Sequence, residues 1–104
     1  MTKYDLDKIQ KMVNYQALRK DWKTEKNFCL KRLKQEVKEL EEALNKQDTL
    51  KIGEEAIDVL YFLVQVVKDA APSISLNASF ESKYIANWFN KKKTEDEKGN
   101  MVLR

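Results

Sequence analysis

Two pairs of carboxylates, each spaced three residues apart, are the side chains of this sequence best suited to chemistry. The first pair is Glu36 and Glu39, and the second is Glu55 and Asp58. Residues at i and i+3 lie on one face of an α-helix, where like charges are destabilising unless a cation lies between them. If a short turn joins the two helices, the four carboxylates could surround one divalent ion. The spacing therefore predicts a metal site.

The side chains that the sequence lacks narrow the identity of the metal. There is no His and only one Cys, Cys29, which excludes an internal disulfide, a zinc site and His-based catalysis. Di-iron sites in helix bundles use Glu-x-x-His pairs, so iron is disfavoured as well. Hard cations prefer carboxylates and water as ligands. The acid pairs therefore favour Mg²⁺, with Mn²⁺ as the alternative.

The composition is that of one helical domain. Of 104 residues, 42% are hydrophobic and 36% charged, and two Gly and one Pro are too few for the turns of an all-β fold. The net charge of +3 comes from basic and acidic residues that are interspersed along the chain. No nucleic-acid recognition motif surrounds Lys91–Lys93, so the sequence argues against nucleic-acid binding. The apolar run 59–67 is too short to span a membrane, and we expect no secretion signal, since no N-terminal segment combines a basic start with an apolar core. The lone thiol suits a reducing cytoplasm.

Apolar residues recur at helical spacing in four segments, which predicts an all-α fold, a four-helix bundle. The predicted helices are about 6–20, 25–45, 50–70 and 80–92, within a helical domain 1–93 followed by a charged tail 94–104. The tail carries an apolar segment, 101–103, that could dock on a partner surface. The expected N-caps are Asp5 for the first helix, Asp48 or Thr49 for the third, and Asn77 or Ser79 for the fourth.

The two central helices carry the acid pairs at the borders of their apolar stripes. On the second helix the predicted stripe is Leu30, Leu33, Val37, Leu40 and Leu44. On the third helix the predicted buried face is Ile52, Ala56, Val59, Leu60, Leu63, Val66, Val67 and Ala70. Apolar residues extend around most of the third helix, so we expect it to be central or to contact a second subunit.

Either acid pair alone could be surface decoration. Glu-x-x-Glu is common on charged helices, where it forms ion pairs with Lys one turn away. Glu55 and Asp58 are harder to explain in this way, because they interrupt the most apolar segment of the chain, where an uncompensated charge is costly. The joint occurrence on consecutive helices is more specific than either pair.

Residues 35–40 and 54–63 together resemble the Glu-x-x-Glu…Glu-x-x-Asp signature of the MazG-like nucleoside triphosphate pyrophosphohydrolases. These belong to an all-α superfamily that includes the dimeric dUTPases, and the resemblance extends over about 22–87. It implies Mg²⁺-dependent hydrolysis of a (d)NTP to a (d)NMP and pyrophosphate, as in nucleotide-pool house-cleaning. It also implies a homodimer or a dimer of dimers. The implied ligands and catalytic residues are Glu36, Glu39, Glu55 and Asp58, with a glutamate or a metal-bound hydroxide activating the water.

The phosphate-binding end departs from the family pattern. Lys83 and Asn87 fit positions where the family tends to carry Lys and Asn, but Asn90 stands where Arg is expected, with Lys91 next to it. We expect Lys83, Asn87 and Lys91 to contact phosphates, although a solvated Lys edge is the competing interpretation.

Aromatic residues are the candidates for stacking on a base. Trp22 lies outside the apolar stripes and is expected to form a pocket wall, whereas Phe62 and Trp88 are assigned to the core. The main alternative to the enzyme is a catalytically weak helical module that senses nucleotides or binds proteins.

Overall fold

Four α-helices and one short hairpin make up the structure, a computed structural model that describes residues 5–89, 93–95 and 101–103. The helices are α1 (Leu6–Arg19), α2 (Lys26–Asn45), α3 (Thr49–Ala70) and α4 (Leu76–Phe89). The strands β1 (Lys93–Glu95) and β2 (Met101–Leu103) pair antiparallel, and all of their residues except Lys93 belong to the segment predicted as a charged tail. The chain forms two compact units, 1–74 and 75–104. The acid pairs lie in the first.

Local hydrogen bonds explain where α2 and α3 begin and end. Glu25 caps α2 by accepting from Phe28 N at 3.0 Å, and Asp48 caps α3 by accepting from Lys51 N at 3.2 Å. Between them Gln47 has a positive φ of 55°, which lets Asp48 N donate back to the carbonyl of Ala43 at 3.2 Å. This three-residue turn makes α2 and α3 antiparallel neighbours, as predicted.

In the first unit α3 packs against both α1 and α2. Gln10 Nε2 of α1 donates to the carbonyl of Val64 at 3.0 Å, and Tyr61 Oη of α3 donates to Gln16 Oε1 at 2.7 Å. Asp69, near the end of α3, accepts from Lys26 N at 2.7 Å, where a carboxylate suits the N-terminus of α2. These contacts hold both neighbours of α3 in register with it.

The buried residues of the described chain include as many as four polar side chains beside five apolar ones. The apolar set is Val13, Ala17, Cys29, Ala43 and Val64, and the polar set is Gln10, Glu36, Glu55 and Gln65. Buried carboxylates are rare unless they are paired or bind a metal. The interior of this unit therefore contains polar side chains as well as packed apolar ones.

The predicted apolar stripes are wrong for the single chain. On α2, Leu30, Val37 and Leu44 are 40–54% exposed, and the buried positions are Cys29, Glu36 and Ala43 instead. None of the eight residues predicted to be buried on α3 is fully buried, and Leu63 is 45% exposed. The reason is that, within the described residues of the first unit, α3 packs against α1 and α2, which cover only part of its apolar circumference.

The second unit begins earlier than the apolar pattern suggested. Helix α4 starts at Leu76, and its first turn is capped by Ser75 Oγ, which accepts from Ala78 N at 3.1 Å, not by Asn77 or Ser79. Its aromatic residues contact one another along the helix, with ring centroids 5.9 Å apart for Phe80 and Tyr84. At the N-terminus of α1, Asp5 occupies the expected cap position without a side-chain capping hydrogen bond.

Candidate functional site

Three of the four predicted carboxylates come together between α2 and α3. Glu36, Glu39 and Glu55 each offer a carboxylate oxygen, and these oxygens lie within 4.8 Å of one another. Glu36 and Glu55 are buried, at 4% and 7% exposure, whereas Glu39 is exposed. Asp58 is exposed and lies outside this group of three. Asp58 and Glu36 both line one cavity. We call all four residues the acidic cluster.

Each buried glutamate has a basic residue one helical turn before it. Arg32 Nη2 lies 3.0 Å from Glu36 Oε1, and Lys51 Nζ lies 3.7 Å from Glu55 Oε1. Both basic side chains are about half exposed, so they approach the carboxylates from the solvent side. Sequence reasoning missed these two partners. Their i,i+4 spacing was visible, but it is the same spacing that ordinary surface ion pairs have.

The second oxygen of each buried glutamate has no partner. Glu36 Oε2 and Glu55 Oε2 are buried without a hydrogen bond among the residues that the structure describes. A buried charged oxygen left unsatisfied costs at least about 1–3 kcal/mol. Glu36, Glu39 and Glu55 also offer carboxylate oxygens within 4.8 Å of one another, and a hard divalent cation prefers such oxygens as ligands. The residues present therefore fit such an ion.

The electrostatics of the cluster change the proton affinity of Glu36. Burial, a hydrogen bond that its protonated form makes to Glu39, and the charge of Glu39 raise the pKa of Glu36 to about 7. Hydrogen bonds with Glu36 and then with Glu55 lower the pKa of Glu39. Without a cation, the cluster therefore retains a proton near neutral pH.

We expect the metal-free protein to lose stability as the pH rises from 5 to 8. The folded pKa of Glu36, about 7, exceeds its usual value of 4.5, so the folded state binds more protons than the unfolded state in this window. The loss is at most about 3 kcal/mol. Urea unfolding in EDTA at both pH values measures it. Glu36→Gln should flatten the dependence, and a parent protein equally stable at both pH values would contradict this account.

A cavity of about 640 Å³ opens beside the acidic cluster. Glu36 and Asp58 lie on its lining. Its aromatic walls are Trp22, Phe28, Tyr61 and Phe62. Trp22 is 49% exposed and lines the cavity, where a pocket wall was predicted. Phe62, assigned to the core from the sequence, is half-buried and lines the cavity instead, with the Arg32 guanidinium 5.3 Å from its ring centroid.

The predicted phosphate contacts lie in the second unit or outside the described residues. Lys83 and Asn87 are exposed on α4. Lys91 lies outside the described residues, so nothing in the structure bears on it. Trp88, assigned to the core from the sequence, is 72% exposed. The three phosphate contacts stay predictions.

The chain matches the family model described as phosphoribosyl-ATP pyrophosphohydrolase over residues 14–87. It belongs to this family. The matched range contains the whole acidic cluster, its two basic partners and all residues of the aromatic cavity's lining except Val13. Comparison with curated proteins and with solved structures found no significant match.

Membership in the phosphoribosyl-ATP pyrophosphohydrolase family places the chain in the all-α NTP pyrophosphatase superfamily, which includes MazG-like proteins. The all-α fold class is confirmed. So is the enzyme class, a hydrolase acting on phosphoanhydride bonds, with pyrophosphohydrolase activity on a nucleotide derivative. Among the described helices, none has the length and apolar character needed to cross a bilayer.

Proposed function

We propose that this protein is a Mg²⁺-dependent nucleoside triphosphate pyrophosphohydrolase that converts a (d)NTP to a (d)NMP and pyrophosphate. The observation that carries the proposal is a pair of buried oxygens without partners among the described residues, Glu36 Oε2 and Glu55 Oε2, together with the aromatic cavity that Glu36 lines. Such a site combines carboxylates that can bind a cation with an aromatic cavity that can bind a nucleobase. A role in nucleotide-pool house-cleaning in the cytoplasm is part of the proposal.

The residues of the acidic cluster divide the work according to their exposure. A bound Mg²⁺ would neutralise the polyphosphate and polarise its phosphorus. Glu36 and Glu55, which are buried, would hold the cation, together with Glu39 and Asp58. Glu39 lies next to the two buried glutamates and is itself exposed, so a water molecule can reach it. Glu39 would then accept a proton from this water. The water oxygen then joins the phosphorus, and the bonding electrons of the anhydride leave with pyrophosphate.

The cavity supplies the other half of substrate binding. Trp22 offers a partly exposed indole face on which a base can stack, a contact worth about 1–3 kcal/mol. Arg32 lies between the aromatic wall and Glu36, where its positive charge attracts the polyphosphate. In this proposal Lys83, Asn87 and Lys91 add phosphate contacts from the C-terminal part of the chain.

A substrate panel tests the proposal. Pyrophosphate release is measured with the eight common NTPs and dNTPs and with phosphoribosyl-ATP, each with Mg²⁺ and with EDTA. Phosphoribosyl-ATP is included because the matched family model carries its name, which makes it the second candidate substrate. We expect Mg²⁺-dependent turnover of at least one NTP. Turnover of phosphoribosyl-ATP alone would favour the second candidate, and no turnover at all would favour the nucleotide-sensing alternative.

The proposal includes a homodimer or dimer of dimers built on α2 and α3. Its support is the row of exposed apolar residues on α2, Leu30, Val37 and Leu44, which water would otherwise solvate. We expect light scattering to give at least twice the chain mass. Val37→Asp should yield monomers, because it puts a charge in the row. Lys31→Gln, which changes the net charge equally elsewhere on α2, should not. A monomeric parent protein would contradict this part.

A further inference from the structure

Gln65 is a buried carboxamide without a hydrogen-bond partner among the residues that the structure describes. It lies on α3, is 4% exposed, and neither its Nε2 nor its Oε1 has a hydrogen-bond partner in the described part of the chain. Gln10 is similarly buried, at 8%, but its Nε2 donates to the carbonyl of Val64 at 3.0 Å. The two glutamines therefore differ in function within the same core. Gln10 joins two helices, and the Gln65 carboxamide has no hydrogen-bond partner among the described residues.

An unpaired buried carboxamide destabilises the folded state, because its donor and its acceptor both lose their bonds to water. Met has a similar length and flexibility and would fill the same space without this cost. Most buried polar groups in native proteins have a partner, which can be a ligand or an ordered water. A trapped water would itself need about two to four polar contacts. Val13 and Ala17, which line the same cavity, offer none, and Cys29 Sγ already donates to the carbonyl of Lys23 at 3.6 Å.

The position of Gln65 indicates which ligand it serves. It lines the aromatic cavity together with Trp22 and Phe62. The carboxylates of Glu36 and Asp58 line the same cavity. A nucleotide whose phosphates lie at the carboxylates would place its base among the aromatic residues. The base is the part of that substrate with hydrogen-bonding groups in the plane of a stacked ring.

We propose that Gln65 reads the edge of the nucleobase and thereby sets the base preference of this enzyme. A carboxamide presents a donor beside an acceptor, which complements a base edge with an acceptor beside a donor, as Gln does with adenine in DNA recognition. The terminal torsion of Gln is broad, so the amide turns toward the cavity when a base enters it. This inference rests on the proposed function, because it takes the cavity as the binding place of the base.

The test uses binding of uncharged nucleosides in EDTA, so that neither the metal nor turnover contributes. Adenosine, guanosine, cytidine and uridine are titrated into ¹⁵N-labelled full-length protein. The side-chain amide signal of Gln65 is identified as the one missing from Gln65→Met. We expect this signal to shift with the preferred nucleoside, which binds about 5- to 150-fold more tightly than the weakest. Gln65→Met should reduce that spread to within about twofold.

Gln10→Met is the matched control. It should keep the base preference and lower the melting temperature, because it removes a hydrogen bond between α1 and α3. Gln65→Met should leave the metal-free melting temperature unchanged or higher. An unchanged spread of affinities in Gln65→Met would overturn the inference, as would nucleoside binding that leaves the Gln65 amide signal in place. If no NTP is hydrolysed with Mg²⁺ but nucleosides still shift this signal, the proposed reaction fails and the base site stands.

Discussion

Replacing Glu55 with Gln is expected to lower kcat/KM at least about a hundredfold while the chain stays folded. Mutation of residues that merely support a metal ligand costs about 10- to 100-fold, so loss of a ligand should cost at least that. The change keeps the volume of a buried side chain and removes the charge of its carboxylate, whose Oε2 has no partner in the described part of the chain. It also removes repulsion from Glu36 and Glu39, whose oxygens lie within 4.8 Å. Steady-state pyrophosphate release with Mg²⁺ measures the effect.

Glu54 provides a matched control for this experiment. It is adjacent on α3, carries the same side chain and is exposed, outside the group of three converging carboxylates. Glu54→Gln should retain the activity of the parent protein. Circular dichroism verifies that both variants are folded. A folded Glu55→Gln variant with full turnover would show that the buried carboxylates are not the catalytic centre.

Adding Mg²⁺ to the metal-free protein should raise its melting temperature. A ligand that binds only the folded state stabilises it by about 1.4 kcal/mol at ten times its Kd and about 2.7 kcal/mol at a hundred times. For a domain of this size, each kcal/mol corresponds to roughly 4–8 °C. We therefore expect a shift of about 5–10 °C at ten times the Kd. The effect should be larger at pH 8 than at pH 5, because the cation displaces the proton that Glu36 retains at low pH.

The controls separate specific binding from screening of charge. An equal ionic strength of NaCl should produce a much smaller shift, since exposed charges are screened by any salt. The double variant Glu36→Gln/Glu55→Gln should melt at the same temperature with and without Mg²⁺. Glu41→Gln, on an exposed position of α2, should respond as the parent does. If Mg²⁺ shifts the double variant and the parent equally, the cation binds elsewhere.

The helices could be predicted from the sequence because their signals are local. The α2–α3 turn lies within a few residues that include the cap Asp48, and the predicted end of α3 before Pro72 is close to its observed last residue, Ala70. The start of α4 was predicted four residues too late. The apolar pattern of this helix begins only at Phe80, whereas the capping hydroxyl of Ser75 lies before Leu76.

The burial pattern could not be predicted, because it depends on which helices cover which faces. From the sequence, Val37 and its apolar stripe were predicted to be in the core, with Glu36 at the border. In the single chain Glu36 is buried and Val37 is exposed. Apolar periodicity cannot tell a face buried within the chain from one left for a partner. The acid pairs were identified because their spacing and their apolar context were unusual together.

Three residues of the site were missed because their local sequence context is ordinary. Gln65 is an ordinary polar interruption in the apolar run of α3 until the structure shows it buried and unpaired on the cavity wall. Arg32 and Lys51 have the spacing of surface ion pairs, and only the depth of Glu36 and Glu55 gives them a part in the site. No local pattern distinguishes these cases.

The most direct test of the central claim is ³¹P NMR of the products formed from the preferred nucleoside triphosphate with Mg²⁺. The account predicts equal amounts of nucleoside monophosphate and pyrophosphate from the parent protein, and no product from Glu36→Gln/Glu55→Gln or from the parent in EDTA. Release of nucleoside diphosphate and orthophosphate by the parent would contradict the reaction. Equal turnover by the double variant would contradict the assignment of the acidic cluster as its centre.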